Sequence, residues 1–324
     1  MLIDKFGRQF RNLRVSLTAA CNYACTYCVP DGKRLLPARE ELDGDDLFGL
    51  VSLIVRTAGI SKVRLTGGEP LLSPKFDNIL MAVMALPLED VSLTTNGQLV
   101  PRKMDVIRAS GLTRINLSLD TLNADHFRDI ARSGDLATVL KAVDLLQAAG
   151  VRIKINMVPM KGVNDDQVLP LLDFCLNRDI ELRFIELMNM GHLQGNATFD
   201  KQFFGMQDLL DRIGSVYEFE AADAAYDSTS VRYVVSGGGK EGHFGIIANE
   251  SAPFCAGCSR LRIASNGRLY GCLSSARSHD LRPLLEMSEP MAMASLQRTL
   301  GSALSDKQTA GFRGEVTVMK FIGG

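Results

Sequence analysis

The chain of 324 residues has no tryptophan and only four histidines. The scarcity of histidine argues against a metal centre built mainly from imidazole ligands. The sequence has no run of 18 apolar residues, so no membrane-spanning helix is expected. Its first eight residues, Met-Leu-Ile-Asp-Lys-Phe-Gly-Arg, lack the apolar region of a signal peptide. We therefore expect a cytoplasmic protein, in a compartment where thiols stay reduced.

Neither sign of charge dominates, because the formal net charge is −1. This balance predicts no general attraction to nucleic acid or to an acidic membrane, and we expect neither as a partner. The sequence also lacks the G-x-x-x-x-G-K-[ST] pattern of a P-loop. The G-x-G-x-x-G match at 237–242 leads into a predicted strand rather than a helix. It therefore indicates a hairpin turn and not a dinucleotide site.

Six of the seven cysteines fall into two triads, and the first triad lies in Cys21-Asn-Tyr-Ala-Cys25-Thr-Tyr-Cys28. Three thiolates in one short loop can bind three irons of a cubane cluster and leave the fourth iron open to a cofactor or substrate. A zinc site with a distant fourth ligand and a loop of unligated thiols are the alternatives. The seventh cysteine, Cys175, lies at helical spacing among leucines, which predicts a buried core residue.

The second triad is Cys255, Cys258 and Cys272, with spacing x2 and then x13. The segment between Cys258 and Cys272 reads as a hairpin around an Asn-Gly turn, which can bring all three thiols together. One interpretation is a zinc ribbon completed by His243 or His279. The other is a second three-cysteine iron–sulfur cluster with an open iron.

Basic residues occur on predicted strands, where charged side chains are unfavourable unless they are paired or functional. Arg260 and Arg262 alternate beside the second triad, so both point to one face and suit an anion. Five more basic residues lie on other predicted strands: Arg14, Lys62, Arg64, Lys154 and Arg183. If they face the inside of a barrel, they converge on one cavity.

Strands and helices alternate regularly in the first part of the chain. Predicted strands are 11–18, 62–66, 91–94, 114–119, 151–158 and 181–187, and predicted helices include 43–58, 75–86, 135–149 and 166–178. Alternation without hairpin turns predicts a parallel sheet covered by helices. We predict an α/β fold, an incomplete (β/α)6 TIM-type barrel with a smaller C-terminal α+β region. A doubly wound Rossmann sheet is the alternative from the pattern alone.

Unusual residues follow the predicted strands at their carboxyl ends. They are the first triad, Gly67-Gly68-Glu69-Pro70, Thr95-Asn96, Ser118, Asp120, Met188 and Met190. In a barrel these ends share one face, which forms the active site. Their placement therefore favours the barrel.

The βα rhythm stops after about residue 195. Later predicted elements are a helix at 201–213, short strands near 215–220, 231–235, 243–248, 260–265 and 268–272, and helices near 279–287 and 290–304. They predict a small antiparallel region. We accordingly predict a partial-barrel domain over residues 1–195 and a C-terminal substrate and second-cluster domain over 196–324.

The pattern Cys-x3-Cys-x-Tyr-Cys followed by Gly-Gly-Glu-Pro resembles the radical S-adenosylmethionine (radical SAM) superfamily. With the second triad, its Arg-x-Arg and the terminal Gly-Gly, the chain resembles the GTP 3',8-cyclase family of molybdenum-cofactor biosynthesis. The matching motifs extend from Leu13 to the last residue. The family often has Asp-Arg where this chain has Ala19-Ala20, Met where it has Val29, and Asn where it has Ser259. None of these departures affects a predicted cluster ligand.

The resemblance implies two [4Fe-4S] clusters and S-adenosyl-L-methionine as cofactors. One cluster would be bound by Cys21, Cys25 and Cys28, and the other by Cys255, Cys258 and Cys272. The implied pocket for S-adenosyl-L-methionine contains Tyr27, Gly68, Ser118 and Met188. The implied GTP contacts are Arg14, Arg64, Thr95, Lys154, Arg260 and Arg262, with Lys62 and Arg183 as further candidates. The terminal Gly323 and Gly324 are implied to reach the active site.

The activity that the resemblance implies is that of a lyase, which converts GTP to 3',8-cyclo-7,8-dihydroguanosine 5'-triphosphate in the first step of molybdopterin biosynthesis. A 5'-deoxyadenosyl radical would remove the hydrogen at C3', and the C3' radical would then attack C8 of guanine. One further electron and a proton would complete the 7,8-dihydro product. No general acid or base can be assigned from the sequence. The resemblance further implies a homodimer and a downstream cyclic pyranopterin monophosphate synthase, and leaves open whether the reductant is of flavodoxin type.

Two other functions are compatible with the cysteines alone. A radical SAM enzyme that modifies peptides and carries an auxiliary cluster generally has more C-terminal cysteines and needs fewer cations for its substrate. A non-catalytic iron–sulfur or zinc protein needs neither an open iron nor a Gly-Gly-Glu-Pro loop.

Overall fold

The fold is organised around six parallel strands that lie side by side in chain order. The computed structural model describes residues 2–30, 32, 36–223, 228–237, 239–309, 311–315 and 322. Among its described helices, none is both long and apolar enough to cross a membrane.

A short hairpin of β1 (Leu2–Ile3) and β2 (Gln9–Phe10) comes first. The six parallel strands are β3 (Asn12–Ser16), β4 (Lys62–Thr66), β5 (Asp90–Thr95), β6 (Arg114–Ser118), β7 (Arg152–Met157) and β8 (Glu181–Ile185). The helices that connect or follow them are α1 (Gly44–Ala58), α2 (Phe76–Met84), α3 (Val100–Ser110), α4 (Ala124–Ala131), α5 (Leu136–Ala148) and α6 (Val168–Leu176). The prediction of six βα units is confirmed, although the sequence did not predict α4.

The C-terminal strands extend the same sheet at both of its edges. On one side β11 (Lys240–Ile247) pairs in parallel with β8 and carries the antiparallel strands β10 (Val231–Gly237) and β9 (Glu218–Ala222). On the other side β12 (Arg260–Ile263) pairs in parallel with β3 and carries β13 (Arg268–Tyr270) and β14 (His279–Asp280). Because β3 and β8 take these partners, the sheet is open, which confirms the incomplete barrel. The expected small antiparallel region is therefore two flanks of the central sheet.

Two predicted C-terminal helices are wrong in detail, whereas the last one is confirmed as α9 (Glu289–Ser305). The helix expected at 201–213 is divided into α7 (Ala197–Gln202) and α8 (Met206–Gly214). The break occurs because Phe203 forms an isolated bridge with Met160. The helix expected at 279–287 begins instead as strand β14, which pairs with β13, and continues as a 3-10 turn.

The alternation along the central strands separates an apolar face from a polar one. On β3, Leu13 and Val15 are buried, and on β4 Val63 and Leu65 occupy the equivalent positions. These side chains belong to the main hydrophobic core, together with the buried faces of the helices. The intervening positions carry polar and basic side chains, so the inside of the partial barrel is not filled by apolar residues.

One close backbone approach joins α9 to the segment that follows β13. A Cβ atom added to Gly271 would lie 1.9 Å from the carbonyl oxygen of Ala303 in α9. Only a residue without a side chain allows the end of this helix to lie so near Cys272. Gly301, on the exposed side of the same helix, has no atom within 4 Å of its added Cβ.

We predict that Gly271→Ala lowers the free energy of unfolding by roughly 1–3 kcal/mol, because the methyl group must displace the end of α9. The measurement is urea unfolding followed by circular dichroism. Gly301→Ala is the matched control, and it should stabilise the protein by about 0.5–1 kcal/mol because alanine favours the helix. Equal effects of the two substitutions would contradict the close contact.

Candidate active site

The polar face of the sheet lines a cavity of about 1530 Å³. This volume exceeds the roughly 300–1,000 Å³ of an ordinary small-molecule site, so a cofactor and a substrate can occupy it together. Its wall includes residues from each of the six parallel strands and from the loops at their carboxyl ends. The site therefore lies where a partial barrel is expected to bind its ligands.

The first triad lines this cavity from the loop after β3. The loop turns tightly, since the amide of Cys28 donates to the carbonyl of Cys25 at 2.8 Å. Burial, followed by the neighbouring Cys28 thiolate, raises the pKa of Cys25 well above its ordinary value. Buried thiols that disfavour each other's ionisation suit a cationic iron cluster, which replaces their protons and offsets the repulsion. The three residues fit the implied [4Fe-4S] cluster.

Gly67 and Gly68 allow the chain that leads into the triad to lie directly on the end of β4. Added Cβ atoms would meet the Thr18 carbonyl oxygen at 2.6 Å and the Ala20 carbonyl oxygen at 2.3 Å, respectively. The amide of Gly68 already donates to Thr18. An ammonium group needs an acceptor, so the Gly68 carbonyl is the atom suited to a methionyl amino group.

Tyr27 is held from behind by a buried carboxylate. Its hydroxyl donates to Asp120 Oδ2 at 2.8 Å, and Asp120 Oδ1 accepts from the amide of Val158 at 2.8 Å. Burial raises the pKa of Asp120 to about 6. Tyr27, Ser118 and Met188 line the cavity together with Gly68. The four residues predicted for the cofactor pocket therefore border the same cavity.

Glu69 forms a buried junction between two of the loops. Its carboxylate accepts from the Thr95 hydroxyl at 2.7 Å, from the Asn96 amide at 2.7 Å and from the Leu71 amide at 3.0 Å. Burial raises its pKa to about 7 despite these hydrogen bonds. Thr95, predicted to contact GTP, thus lines the cavity with its hydroxyl bonded to Glu69.

The cavity collects most of the basic residues that the sequence singled out. They are Arg14, Lys62, Arg64, Lys154, Arg183 and Arg260. Parallel pairing places Arg14 between Arg64 on one neighbouring strand and Arg262 on the other. Arg262 is 4% exposed and, within the described residues, is not part of the cavity wall. The predicted contact between Arg262 and GTP would therefore require Arg262 to reach the ligand from outside the wall, next to Arg14.

Crowding of buried positive charges is evident from the pKa shifts. Burial, followed by the charges of Arg183 and Arg114, lowers the pKa of Arg64 to about 9. Burial and then Arg262 lower the pKa of Arg14 well below its ordinary value. Arginine stays protonated at neutral pH, so these shifts express unfavourable electrostatic energy rather than loss of the proton. An anionic ligand would relieve it.

Some charges in the cavity are already compensated. Lys154 Nζ lies 2.8 Å from a carboxylate oxygen of Glu181, and Arg114 forms an ion pair with Asp90. Sequence reasoning missed four charged residues that line the cavity. They are Arg114, Arg152, Asp90 and Glu181. The alternation that identified Lys154 also applies to Arg114 and Arg152, since each lies two positions before an inward-facing residue.

The second triad lies beside the cavity rather than in its wall. Cys255 and Cys258 precede β12, and Cys272 follows β13. Within the described residues, the wall reaches this region through Arg260 and Tyr270. Arg260 Nη2 donates to Cys258 Sγ at 3.4 Å. Burial raises the pKa of Cys258, but the charges of Arg260 and Lys307 lower it more, so the net pKa lies well below its ordinary value.

The zinc alternative for the second triad is not supported. His279 is bonded to Asp306 at 2.8 Å, and His243 lies on β11, at the opposite flank of the sheet. Across the described ranges, no three Cys, His, Asp or Glu side chains are grouped as ligands of a single metal ion. The charges of Cys258 and Cys272 both act on Cys255, so the three cysteines lie near one another without either of these histidines.

The described part of the C-terminal tail lies against the loop that carries Met188. The amide of Gly191 donates to the carbonyl of Glu315 at 3.0 Å, and Gln194 Nε2 donates to the Gly314 carbonyl. Gly323 and Gly324, predicted to reach the active site, lie outside the described residues.

We predict that Glu69 makes the folded state more stable at low pH, because its pKa is raised from the usual 4.5 to about 7 on folding. Its contribution is fully present below pH 4.5 and is lost as pH rises through 7, by about 3 kcal/mol in total. Urea unfolding between pH 5 and 8 should show a smaller decline for Glu69→Gln than for the unmodified chain. Parallel pH profiles would contradict the shift.

Two family models together match most of the chain. The Radical SAM superfamily profile matches residues 15–175, and the profile described as Molybdenum Cofactor Synthesis C matches residues 180–312. The GTP 3',8-cyclase of Listeria welshimeri is 36% identical over 301 residues, covering 91% of this chain and 88% of that protein. The GTP 3',8-cyclase of Xanthomonas axonopodis pv. citri is 37% identical over 336 residues, covering 99% and 98%.

Among solved structures, Streptococcus suis SuiB bound to S-adenosylmethionine has a TM-score of 0.66 at 17% identity, over 92% of this chain and 68% of that one. This likeness supports the fold alone. The sequence relatives go further, since their identity extends over most of both chains. The chain belongs to the GTP 3',8-cyclase family of the radical SAM superfamily.

Proposed function

We propose that this protein is a radical SAM lyase that converts GTP to 3',8-cyclo-7,8-dihydroguanosine 5'-triphosphate, the first step of molybdenum-cofactor biosynthesis. One observation carries the proposal. A single cavity is lined both by the first cysteine triad and by basic side chains, among them the partly buried Arg260, which hydrogen-bonds the second triad. This arrangement supports a radical generator and an anion-binding site in the same cavity.

The proposed site for S-adenosyl-L-methionine and the first cluster consists of cavity residues at the carboxyl ends of the strands. Cys21, Cys25 and Cys28 would hold one [4Fe-4S] cluster, and Cys255, Cys258 and Cys272 would hold the other. When bound, the first cluster with S-adenosyl-L-methionine supplies hydrogen-abstracting radical chemistry, and the second supplies an open iron to the guanine. Tyr27, fixed by Asp120, would lie against the adenine, and Ser118 and Met188 would complete the pocket.

The triphosphate of GTP matches the charge of the cavity. It carries about four negative charges at neutral pH and needs several cations at close range. Arg14, Arg64 and Arg260 supply guanidinium groups, and their mutual repulsion favours an anion between them. Lys154 can exchange its contact with Glu181 for a phosphate. Thr95, Arg262, Lys62 and Arg183 are the remaining proposed GTP contacts.

The contribution of these residues is to position the substrate and to exclude water. Holding C3' at a fixed place next to the cofactor converts a bimolecular encounter into an intramolecular one. A cofactor and a substrate that fill the cavity together would displace water from the reactive centre. Gly323 and Gly324 belong to this proposal as a tail that enters the site.

The residues that depart from the family pattern occupy packed positions. Ala19 and Val29 are buried at 0% and 4% exposure, and the amide of Ala19 donates to Glu41 at 2.8 Å. Ser259 accepts a hydrogen bond from Asn12 at 2.9 Å, which ties the second triad to β3. The loops of both triads are therefore held by contacts of Ala19, Val29 and Ser259, although these residues depart from the family pattern.

The remaining parts of the proposal concern organisation and partners. We place a domain boundary between residues 195 and 196, a homodimer as the assembly, and the cytoplasm as the compartment, where cluster thiols stay reduced. The reductant is a flavodoxin-type or other one-electron donor. The product passes to a cyclic pyranopterin monophosphate synthase.

We predict that anaerobically reconstituted protein binds about eight irons, as two [4Fe-4S] clusters require. With dithionite, S-adenosyl-L-methionine and GTP it should form 5'-deoxyadenosine and the cyclised nucleotide, and omission of GTP should suppress the cleavage. Cys272→Ser should lose about half of the iron. Cys175→Ala, at a buried core cysteine, is the matched control and should retain it.

Two outcomes of this experiment would contradict the proposal. Zinc bound at the second triad would leave no iron to contact guanine. Cofactor cleavage that is indifferent to GTP would favour another substrate, such as a peptide.

We predict that Arg260→Ala weakens GTP binding roughly 10- to 100-fold, the effect of losing one charge-assisted hydrogen bond. The absorbance and electron paramagnetic resonance (EPR) spectra of the first cluster should not change, because Arg260 lies beside the other triad. Equilibrium dialysis with GTP measures the affinity. Arg298→Ala, on the exposed face of α9, should bind GTP normally. Unchanged GTP affinity in Arg260→Ala would remove this residue from the site.

A further inference from the structure

Lys307 is a buried lysine that contacts the second triad directly. It follows α9, is 7% exposed, and is not part of the cavity wall. Its Nζ atom donates to Cys258 Sγ at 3.3 Å, to the Arg260 carbonyl at 2.9 Å and to the Gly271 carbonyl at 2.8 Å. All three protons of the ammonium group therefore have an acceptor.

These three acceptors belong to both arms of the hairpin that carries the triad. Arg260 is the first residue of β12, Cys258 lies two positions before it, and Gly271 immediately precedes Cys272. The ammonium group thus connects the two segments that supply the cysteines. The contact depends on the close approach of α9 to Gly271, which places Lys307 between them.

The neighbouring residues reinforce this placement. Gln308 Nε2 donates to Ser274 Oγ at 2.9 Å, and that oxygen lies 3.3 Å from Cys272 Sγ. Arg8 Nη1 donates to the Cys255 carbonyl at 2.8 Å and to the Gln308 carbonyl at 3.0 Å. Lys307 and Gln308 are therefore linked to all three segments that carry the cysteines of the second triad.

The charge of Lys307 requires compensation, because a lysine is seldom fully buried unless it is paired. Within the described residues, no carboxylate forms an ion pair with it. The sulfur nearest to its charge is Cys258 Sγ, 3.3 Å from Nζ, and a cysteine that binds a metal is anionic. The ring of Phe10 adds a cation–π contact, with Nζ 5.1 Å from its centroid.

We propose that Lys307 is a positioning residue for the second cluster, whose ammonium group fixes Cys258 and stabilises negative charge on the cluster ligands. This inference rests on the proposed function, because it requires a cluster at that triad. Hydrogen bonds to the sulfurs and the local net charge set the potential of an iron–sulfur centre. A fixed positive charge favours the added electron, so its removal makes reduction harder.

The test is an EPR-monitored redox titration of the reconstituted holoenzyme, compared with Lys307→Met and Lys307→Arg. In Lys307→Met the midpoint potential of the second cluster should shift to more negative values, or about half of the iron should be lost with the first cluster retained. Lys307→Arg keeps the charge and should restore the iron content and most of the potential. The first cluster is the internal reference and should keep its potential in both variants.

Lys240→Met is the matched control, since Lys240 pairs with Asp173 on the opposite flank of the sheet. It should leave both potentials unchanged. If Lys307→Met does not fold, Lys307→Gln takes its place, because it keeps a donor for the carbonyls and removes only the charge. Unchanged second-cluster potential and iron content in the uncharged variant would overturn the inference, as would equal shifts of both clusters.

The experiment also separates this inference from the proposed function. Absence of a second cluster in the unmodified protein would refute the proposed function. A normal second cluster in the unmodified protein that is insensitive to Lys307 would refute only the role of this lysine.

Discussion

Burial of like charges is the constraint on which the rest of the structure depends. Arginines and lysines occupy the inward positions of neighbouring strands, where parallel pairing forces them into register. Such an arrangement is destabilising by itself, because both desolvation and mutual repulsion oppose it. Two acids, Asp90 and Glu181, offset part of the cost. Burial of the apolar outer face against its covering helices must offset the remaining unfavourable electrostatic free energy of the inner face.

The open sheet allows a C-terminal strand to bring the second cysteine triad to the edge of this cavity. A closed barrel would pair its first strand with its last, whereas here β3 pairs with β12. That pairing places Arg262 beside Arg14 and brings the segment of Cys255 and Cys258 to the edge of the site. The C-terminal region therefore completes the wall with Arg260 and Tyr270 and carries the second cysteine triad beside it. An architecture that lacked this extra strand would lose Arg260 from the wall of the cavity.

Local chemistry explains why much of the fold was predictable. The six central strands alternate regularly, and their helices begin at residues such as Asp43 and Asp135, whose side chains accept from the first turn. The cysteine spacing indicated the cofactors, and the basic residues on strands predicted a shared cavity, which six of them line. Each of these features is determined by residues close together in the chain.

The features that sequence reasoning missed depend on distant contacts. The divided helix at Phe203 results from a bridge with Met160, and the strand pairing of His279 replaces an expected helix. Glu69 was visible as part of a motif, but its hydrogen bonds to Thr95 and Asn96 required the folded sheet. Lys307 has no local pattern at all, because its partners lie 36 to 49 positions earlier.

The pairing of β3 with β12 also has a consequence for how the molecule acquires its structure. Asn12 and Ser259, which bond across this pair, are 247 positions apart. During synthesis the N-terminal βα units can assemble while the free edge of β3 still awaits its neighbour, because domains emerge from the N-terminus first. Long-range parallel pairing is slow, since loop closure precedes any gain from the contacts. The segment that carries Cys255 and Cys258 therefore joins the sheet only late in folding, after most of the chain has been synthesised.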